Sequence, residues 1–275
     1  MMILILLASL AGIASVVCDV DWCNPKYCPS KQNHIACNHA HTKSANCPND
    51  FRIVPFTQKL KDMAVNEHNR LRNQQALGQT PMFGPAKRMA SMTWDNKLAE
   101  FAELNVMQCK MEHDSCRSTE QFYFAGQNLA ISTVIDDEKF IMQTITDWFD
   151  ESNFTTMNDI RKFTDGVNAA GKMIGHFTQV VRDEAYKIGC AMSRFYYAEY
   201  DMPSSLMACN YAVTNILNFP VYEEGDTASG CKTGTHPNYP GLCSESEVYD
   251  GQFFHKMNAE LSLRFDADSA ELSIE

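Results

Sequence analysis

No Cys-x-x-Cys pair occurs anywhere in the 275 residues, and HExxH, GxSxG and GxxxxGK(S/T) are missing as well. Those absences remove the usual marks of a structural zinc site, a zincin, an α/β-hydrolase and a phosphate-cradling loop. Clustered basic residues are absent too: 23 Lys and Arg stand against 34 Asp and Glu, a formal charge of −11. A protein that grips a nucleic-acid backbone needs clustered cations to release counterions, so nucleic acid is not an expected partner. No internal repeat is visible. Hydrophobic residues make up 45% of the chain, ordinary for a globular protein and too many for a largely disordered one. The length suits one large domain or two small ones.

Residues 1–17 read MMILILLASLAGIASVV, an uncharged apolar run with Ala8, Ser9, Ala11, Gly12, Ala14 and Ser15 in its second half. Such a run sits at the short limit for spanning a bilayer, and polar residues follow at once. It reads as a signal peptide over residues 1–18, cleaved near Ser15 to Cys18, with a retained anchor as the alternative. No comparable apolar run follows, so the mature protein is expected to be secreted, extracellular and without a membrane span. Cleavage after Cys18 leaves Cys23, Cys28, Cys37, Cys47, Cys109, Cys116, Cys190, Cys209, Cys231 and Cys243. An even count in an exported chain reads as five disulfides, although spacing alone leaves the connectivity open.

Four of these cysteines crowd into residues 23–47, which marks 19–54 as a stapled, loop-rich extension. Residues 57–74 carry helical periodicity, with Thr57 as N-cap and Leu60, Met63, Ala64 and Leu71 on one face. A second helix opens after Asp95 with Leu98, Phe101 and Ala102. A third covers 137–150, where Ile141, Thr144, Ile145 and Trp148 share a face. Residues 186–197 and 205–214 read as strands, and as antiparallel neighbours they would bring Cys190 to Cys209. Helices followed by a late hairpin predict an α+β or layered αβα domain over 55–220. Residues 221–275 then form a hinge with Cys231 and Cys243 and an acidic tail.

Few residues announce chemistry. His39-x-His41 can chelate a metal, but in a cysteine-dense loop solvent exposure is the plainer reading. Glu151 lies three residues past Trp148, beneath the apolar face of the third helix, where a frayed polar end and a cleft carboxylate both fit. His176 lies between Gly175 and Phe177, where a merely buried histidine is the default.

Longer motifs settle between these readings. GHFTQVV at 175–181 and CNY at 209–211 resemble the two signatures of the CAP superfamily: cysteine-rich secretory proteins, antigen 5 and plant pathogenesis-related proteins. EHNRLR at 67–72, MTWDNKLAEFA at 92–102, QCKMEHDSC at 108–116 and GQNLA at 126–130 extend the likeness. DWC-x4-C-x5-HIAC and the stretch FPVYEEGDTASGCKTGTHPNYPGLCS resemble the insect antigen 5 branch in particular. The resemblance spans roughly 21–245 and implies a three-layered αβα sandwich.

It also implies a central cleft ringed by His113, Gln127, Glu151 and His176, with His113, Glu151 and His176 as ligands of a divalent metal such as Zn²⁺. The usual third-position Glu is Gln127 here, and a neutral amide is a poor ligand, so the metal site is expected to be weak or vacant and no resident cofactor is implied. Two further departures are Arg182, where the first signature usually has Trp, and CNYAVTN, which lacks the usual Pro and Gly. The family's pairing implies Cys23–Cys37, Cys28–Cys116, Cys47–Cys109 and Cys190–Cys209, with Cys231–Cys243 as a local fifth. Asn153-Phe154-Thr155 is the one glycosylation sequon.

The functional expectation is a monomeric, non-enzymatic secreted protein that binds a small ligand, a lipid or an extracellular partner. A hydrolase using His113, Glu151 and His176 and a structural extracellular or seminal-fluid protein are the alternatives.

Overall fold

A computed structural model of the chain describes residues 20–28 and 32–249. The expected leader over 1–18 and the acidic end of the sequence lie outside the described residues. Three helices begin where a side chain relieves their unpaired amides. Thr57 accepts from Leu60 N to open α1 (Gln58–Ala76), and Asp95 accepts from Leu98 N to open α2 (Asn96–Val106). Asp136 accepts from Lys139 N to open α3 (Asp137–Asp150), whose first turn also carries Asp137 and Glu138, favourable at the positive end of the helix dipole. Two short helices follow, α4 (Met157–Arg161), opened by a Thr156/Asp159 capping box, and α5 (Gly175–Val180).

The main sheet is built from β1 (Arg52–Val54), β4 (Gly126–Ser132), β5 (Lys187–Tyr197) and β6 (Met202–Tyr211), in the order β1-β5-β6-β4. These four strands pair antiparallel, while β3 (Thr93–Trp94) joins β5 in parallel. A second sheet orders β2 (Met89–Ala90), β8 (Tyr239–Cys243) and β7 (Thr235–His236). The hairpin expected from the sequence is present, with Cys190 directly opposite Cys209. Its second strand begins at Met202 rather than 205 and ends at Tyr211 rather than 214. Pairing with Phe195–Tyr197 draws Met202, Pro203 and Ser204 into the ladder, and Ala212 N donates to Lys187 O as the strand closes.

Strand alternation divides the core into two layers. Ile188, Cys190, Met192, Met207, Cys209 and Tyr211 face a cluster supplied by α1, α3 and α5, including Leu60, Leu71, Phe140, Trp148 and Phe177. On the opposite face Ala191, Phe195, Leu206 and Ala208 meet Ala102 and Val106 of α2. The result is the three-layered αβα sandwich.

Both flanks are tied into this body. Cys28–Cys116 and Cys47–Cys109 anchor the N-terminal extension, with Cys23–Cys37 inside it, Cys190–Cys209 across the hairpin and Cys231–Cys243 near the C-terminal side. Trp22 stacks on His34 and meets the edge of Phe101, so the extension docks on α2 through aromatic rings. Packing runs on unbroken past residue 220: Val221, Tyr222 and Leu242 belong to the main core cluster, and β8 pairs with β2.

Arg72 fixes the relation of α1 to α5. It is completely buried and directs its guanidinium at the carbonyls of Ala90, Val180, Arg182 and Asp183, capping the end of α5. Burial lowers its pKa to about 10, which leaves it charged at any physiological pH. Arg182 serves a similar purpose nearby, donating to Pro220 O and Val221 O and binding the chain that leaves the sandwich.

Candidate functional site

Two histidines from distant stretches are each held by a side-chain oxygen. His176, at the start of α5, places Nδ1 2.6 Å from Glu151 Oε1. The other carboxylate oxygen accepts from the His176 and Phe177 amides at 2.9 and 3.1 Å. Glu151 therefore caps α5, whose first turn has no cap of its own, and orients the imidazole in the same act. Trp148 stacks on the His176 ring at 5.9 Å between centroids. His113 stands at the rim with Nδ1 2.7 Å from Gln127 Oε1. Desolvation is the largest influence on His113 and lowers its pKa; the Gln127 bond and Asp114 oppose it, while Arg117 and His176 reinforce it. The two pairs thus sense each other electrostatically, although no hydrogen bond joins them among the described residues.

Neighbouring positions on β4 reach toward the two histidines. Gln127 holds His113, and Asn128 Nδ2 donates to His176 O at 3.1 Å and to Tyr211 OH at 3.3 Å. Tyr211 OH lies 2.9 Å from His68 Nε2, and His68 Nδ1 lies 2.8 Å from Ala64 O. A carbonyl accepts only, so Nδ1 carries the proton and Nε2 receives the tyrosine hydroxyl. Burial pushes His68 down to about 4, with the Ala64 bond opposing and Arg72 adding to the fall. The tyrosine is pushed up, chiefly by burial.

The sequence named His113, Gln127, Glu151 and His176, and the structure brings them together as two pairs. It also supplies partners that the sequence reading did not single out: Asp114, Asn128, Trp148 as a stacking ring, Tyr211 and Asn210. Asp114 adjoins His113 and Asn210 sits inside CNY, yet nothing in periodicity says that both turn toward Gln127. His39 and His41 form their own arrangement, with His41 N donating to His39 Nδ1 at 2.9 Å. Asn153 is exposed two residues past Glu151, its amide donating to Asp150 O.

The donor set does not fit a metal held by three of these side chains. Glu151 spends both oxygens on His176 and Phe177, and Gln127 spends its oxygen on His113. With each Nδ1 facing an acceptor, only the Nε2 lone pairs of His113 and His176 remain. Among the described residues no group of three His, Cys, Asp or Glu is placed to hold an ion.

A sheet walled by helices on both faces and tied by five disulfides, with a histidine held by the carboxylate that caps α5, defines a cysteine-stapled αβα domain. The chain belongs to the cysteine-rich secretory protein (CAP) family, whose model matches residues 65–211. It is 36% identical over 247 residues to "Venom allergen-1" of Aedes albopictus, covering 85% of this chain and 93% of the relative. It is 41% identical over 191 residues to "Antigen 5 like allergen Cul n 1" of Culicoides nubeculosus, covering 66% of this chain and 86% of the relative. A solved structure, "NaASP2 with Zn2+", superposes with a TM-score of 0.58 at 26% identity, covering 72% of this chain and 100% of the other.

Proposed function

We propose that this chain is a secreted, non-enzymatic binding protein of the antigen 5 type, which engages a small ligand, a lipid or an extracellular protein through the central cleft and its loops. The observation that carries this reading is how the cleft imidazoles are engaged. Each gives Nδ1 to a fixed acceptor, Gln127 or Glu151, and among the described residues no serine, threonine or cysteine hydrogen-bonds to either ring. The mature cysteines are joined in disulfides, so no thiolate is at hand. Such a site presents lone pairs and aromatic surface to a ligand and lacks a nucleophile for acyl transfer. Insect relatives named as venom allergens support the extracellular assignment.

A divalent cation such as Zn²⁺ is held weakly at most, through Nε2 of His113 and His176. NaASP2 was solved with Zn²⁺, which supports a cation as a ligand of this fold, and the imidazole pair is the place this chain offers for one. Exposed Asn153 is the expected glycan carrier, at one rim of the cleft, and a monomer is the expected state.

The rival reading is a hydrolase in which Glu151 and His176, 2.6 Å apart, act as a general-base pair on a bound water. Incubating purified protein with peptide, ester and lipid substrates separates the two. The binder shows no turnover and yields co-purifying ligand in mass spectra of its organic extract. Turnover that disappears in His176→Ala would establish the hydrolase instead.

A further inference from the structure

The edge of the main sheet is interrupted. On one side of β5, β3 pairs with Lys187 and Ile188, and β1 pairs with Met192 to Arg194. Among the described residues no strand lies alongside Gly189, Cys190 and Ala191 there. Asp95 N donates to Ile188 O on this edge, whereas Ala212 N donates to Lys187 O on the β6 side. Even-numbered residues of β5 therefore turn their backbone groups to the interrupted edge, and Cys190 aims its N–H and C=O into the gap.

A cavity of about 290 Å³ occupies that gap. Phe56 and Trp94 line it as a stacked pair, 5.6 Å between centroids and 23° apart. Glu100 and Glu103 of α2 line it from the other helical layer. Lys97 holds Glu100 at 2.6 Å, but Glu103 has no ion pair or side-chain hydrogen bond among the described residues. One cation already uses this wall: Lys61 Nζ lies 5.3 Å from the Trp94 centroid. Aromatic faces attract ammonium groups, more strongly where water is excluded.

We infer that this gap is a second binding site, separate from the cleft, for a small organic ammonium ion with an aromatic body. The ring packs on Phe56 and Trp94, and the ammonium donates to the free Glu103 carboxylate and to Cys190 C=O. The volume lies at the small end of ligand pockets, about 300–1,000 Å³, which suits one ring and a short amine and excludes a phospholipid or sterol. Charge complementarity rests on Glu103, the lining carboxylate without an ion pair among the described residues; Lys61 is the one lining cation, and the ligand displaces it from the Trp94 face.

Calorimetric titration with phenethylammonium chloride tests the site, with 2-phenylethanol as the neutral analogue. Saturable binding is expected, weakened at least tenfold in Glu103→Gln and in Trp94→Leu and at least tenfold weaker for the alcohol. Glu103 is only partly buried, so Glu103→Gln keeps the test decisive should Trp94→Leu fold poorly. No saturable binding, equal binding of the alcohol, or indifference to Glu103→Gln overturns the site. Loss of binding in His176→Ala instead would place the amine in the cleft and overturn it too, leaving the cleft reading intact.

Discussion

Gln127 Nε2 lies 2.8 Å from Asp114 Oδ2, and this contact accounts for an amide where the family pattern has a carboxylate. The amide donates to Asp114 and, at 3.0 Å, to Asn210 Oδ1 while its oxygen accepts from His113. Asp114 is itself buried, paired with Arg117 at 2.8 Å and bonded by Asn105 Nδ2 at 2.9 Å. A carboxylate at 127 has no proton to offer and meets a like charge and a second acceptor. Gln127→Glu is therefore expected to destabilise the fold by about 2 kcal/mol at neutral pH, the range for a buried polar group left unsatisfied. Thermal melting by circular dichroism checks this. Adding Asp114→Asn should recover part of the loss, and an unchanged midpoint in Gln127→Glu would remove the explanation.

His68 makes the fold acid-sensitive. Its pKa is near 4 in the folded chain against 6.5 when exposed, so the folded state binds fewer protons than the unfolded one between those values. Stability is then complete above about pH 6.5 and falls as the pH drops toward 4, by about 3 kcal/mol at one pKa unit per 1.36 kcal/mol. His34 and His113, whose pKa values are also lowered chiefly by desolvation, slope the same way. Urea midpoints at pH 7.5 and 4.5 measure the drop. His68→Gln should flatten it while lowering stability at pH 7.5, because Ala64 O and Tyr211 lose well-placed partners. An equal drop in the variant would show that His68 is not responsible.

The helices were readable because their signals are local. Thr57 and Asp95 are caps followed by apolar stripes, and α3 keeps the spacing of Ile141, Ile145 and Trp148. The β6 start was misplaced because Pro203 and Ser204 look like loop until the pairing with β5 is known. β1 and β3, three and two residues long, owe their existence to partners far along the chain. β4 hides because Gln127 and Asn128 are spent on hydrogen bonds to His113 and to His176 O, and polar residues there spoil a strand's apolar pattern. The cleft residues were nameable only through motif resemblance. Glu151 and His176 are 25 positions apart, and no periodic pattern links a helix end to the next helix start.

Zinc titration examines the cleft by a different property. Two imidazole nitrogens without a third protein donor give a weak site, since structural and catalytic zinc both use at least three protein ligands. Calorimetry on the purified protein at neutral pH should give an affinity no tighter than about 10 μM, a value of about −7 kcal/mol on the standard scale. It should fall further in His113→Ala. Submicromolar binding that depends on His176 would show that Glu151 leaves its amides to become a ligand.

At Gly189 the backbone of α2 comes close against the sheet. A Cβ built there meets Ala99 N at 2.2 Å, Asp95 O at 2.5 Å and Leu98 C at 2.7 Å, all backbone atoms of the first turn of α2. Backbone cannot swing aside as a side chain can, so Gly189→Ala must push α2 from the sheet. That movement loosens Ala102 and Val106 from Ala191 and Ala208 and disturbs the Asp95 N to Ile188 O bond at 2.8 Å. Overpacking in a close-packed core costs about 1–3 kcal/mol, and the lost contacts place this substitution at the upper end. The expected result is a melting point lower by about 6–12 °C, from about 2–4 °C per kcal/mol for a domain of this size. Gly171→Ala is a control of a different kind: φ is +73° there and nothing lies within 4 Å, so only backbone strain is felt and the shift should be smaller. If Gly189→Ala melts no lower than Gly171→Ala, α2 does not rest on β5 as closely as the packing requires.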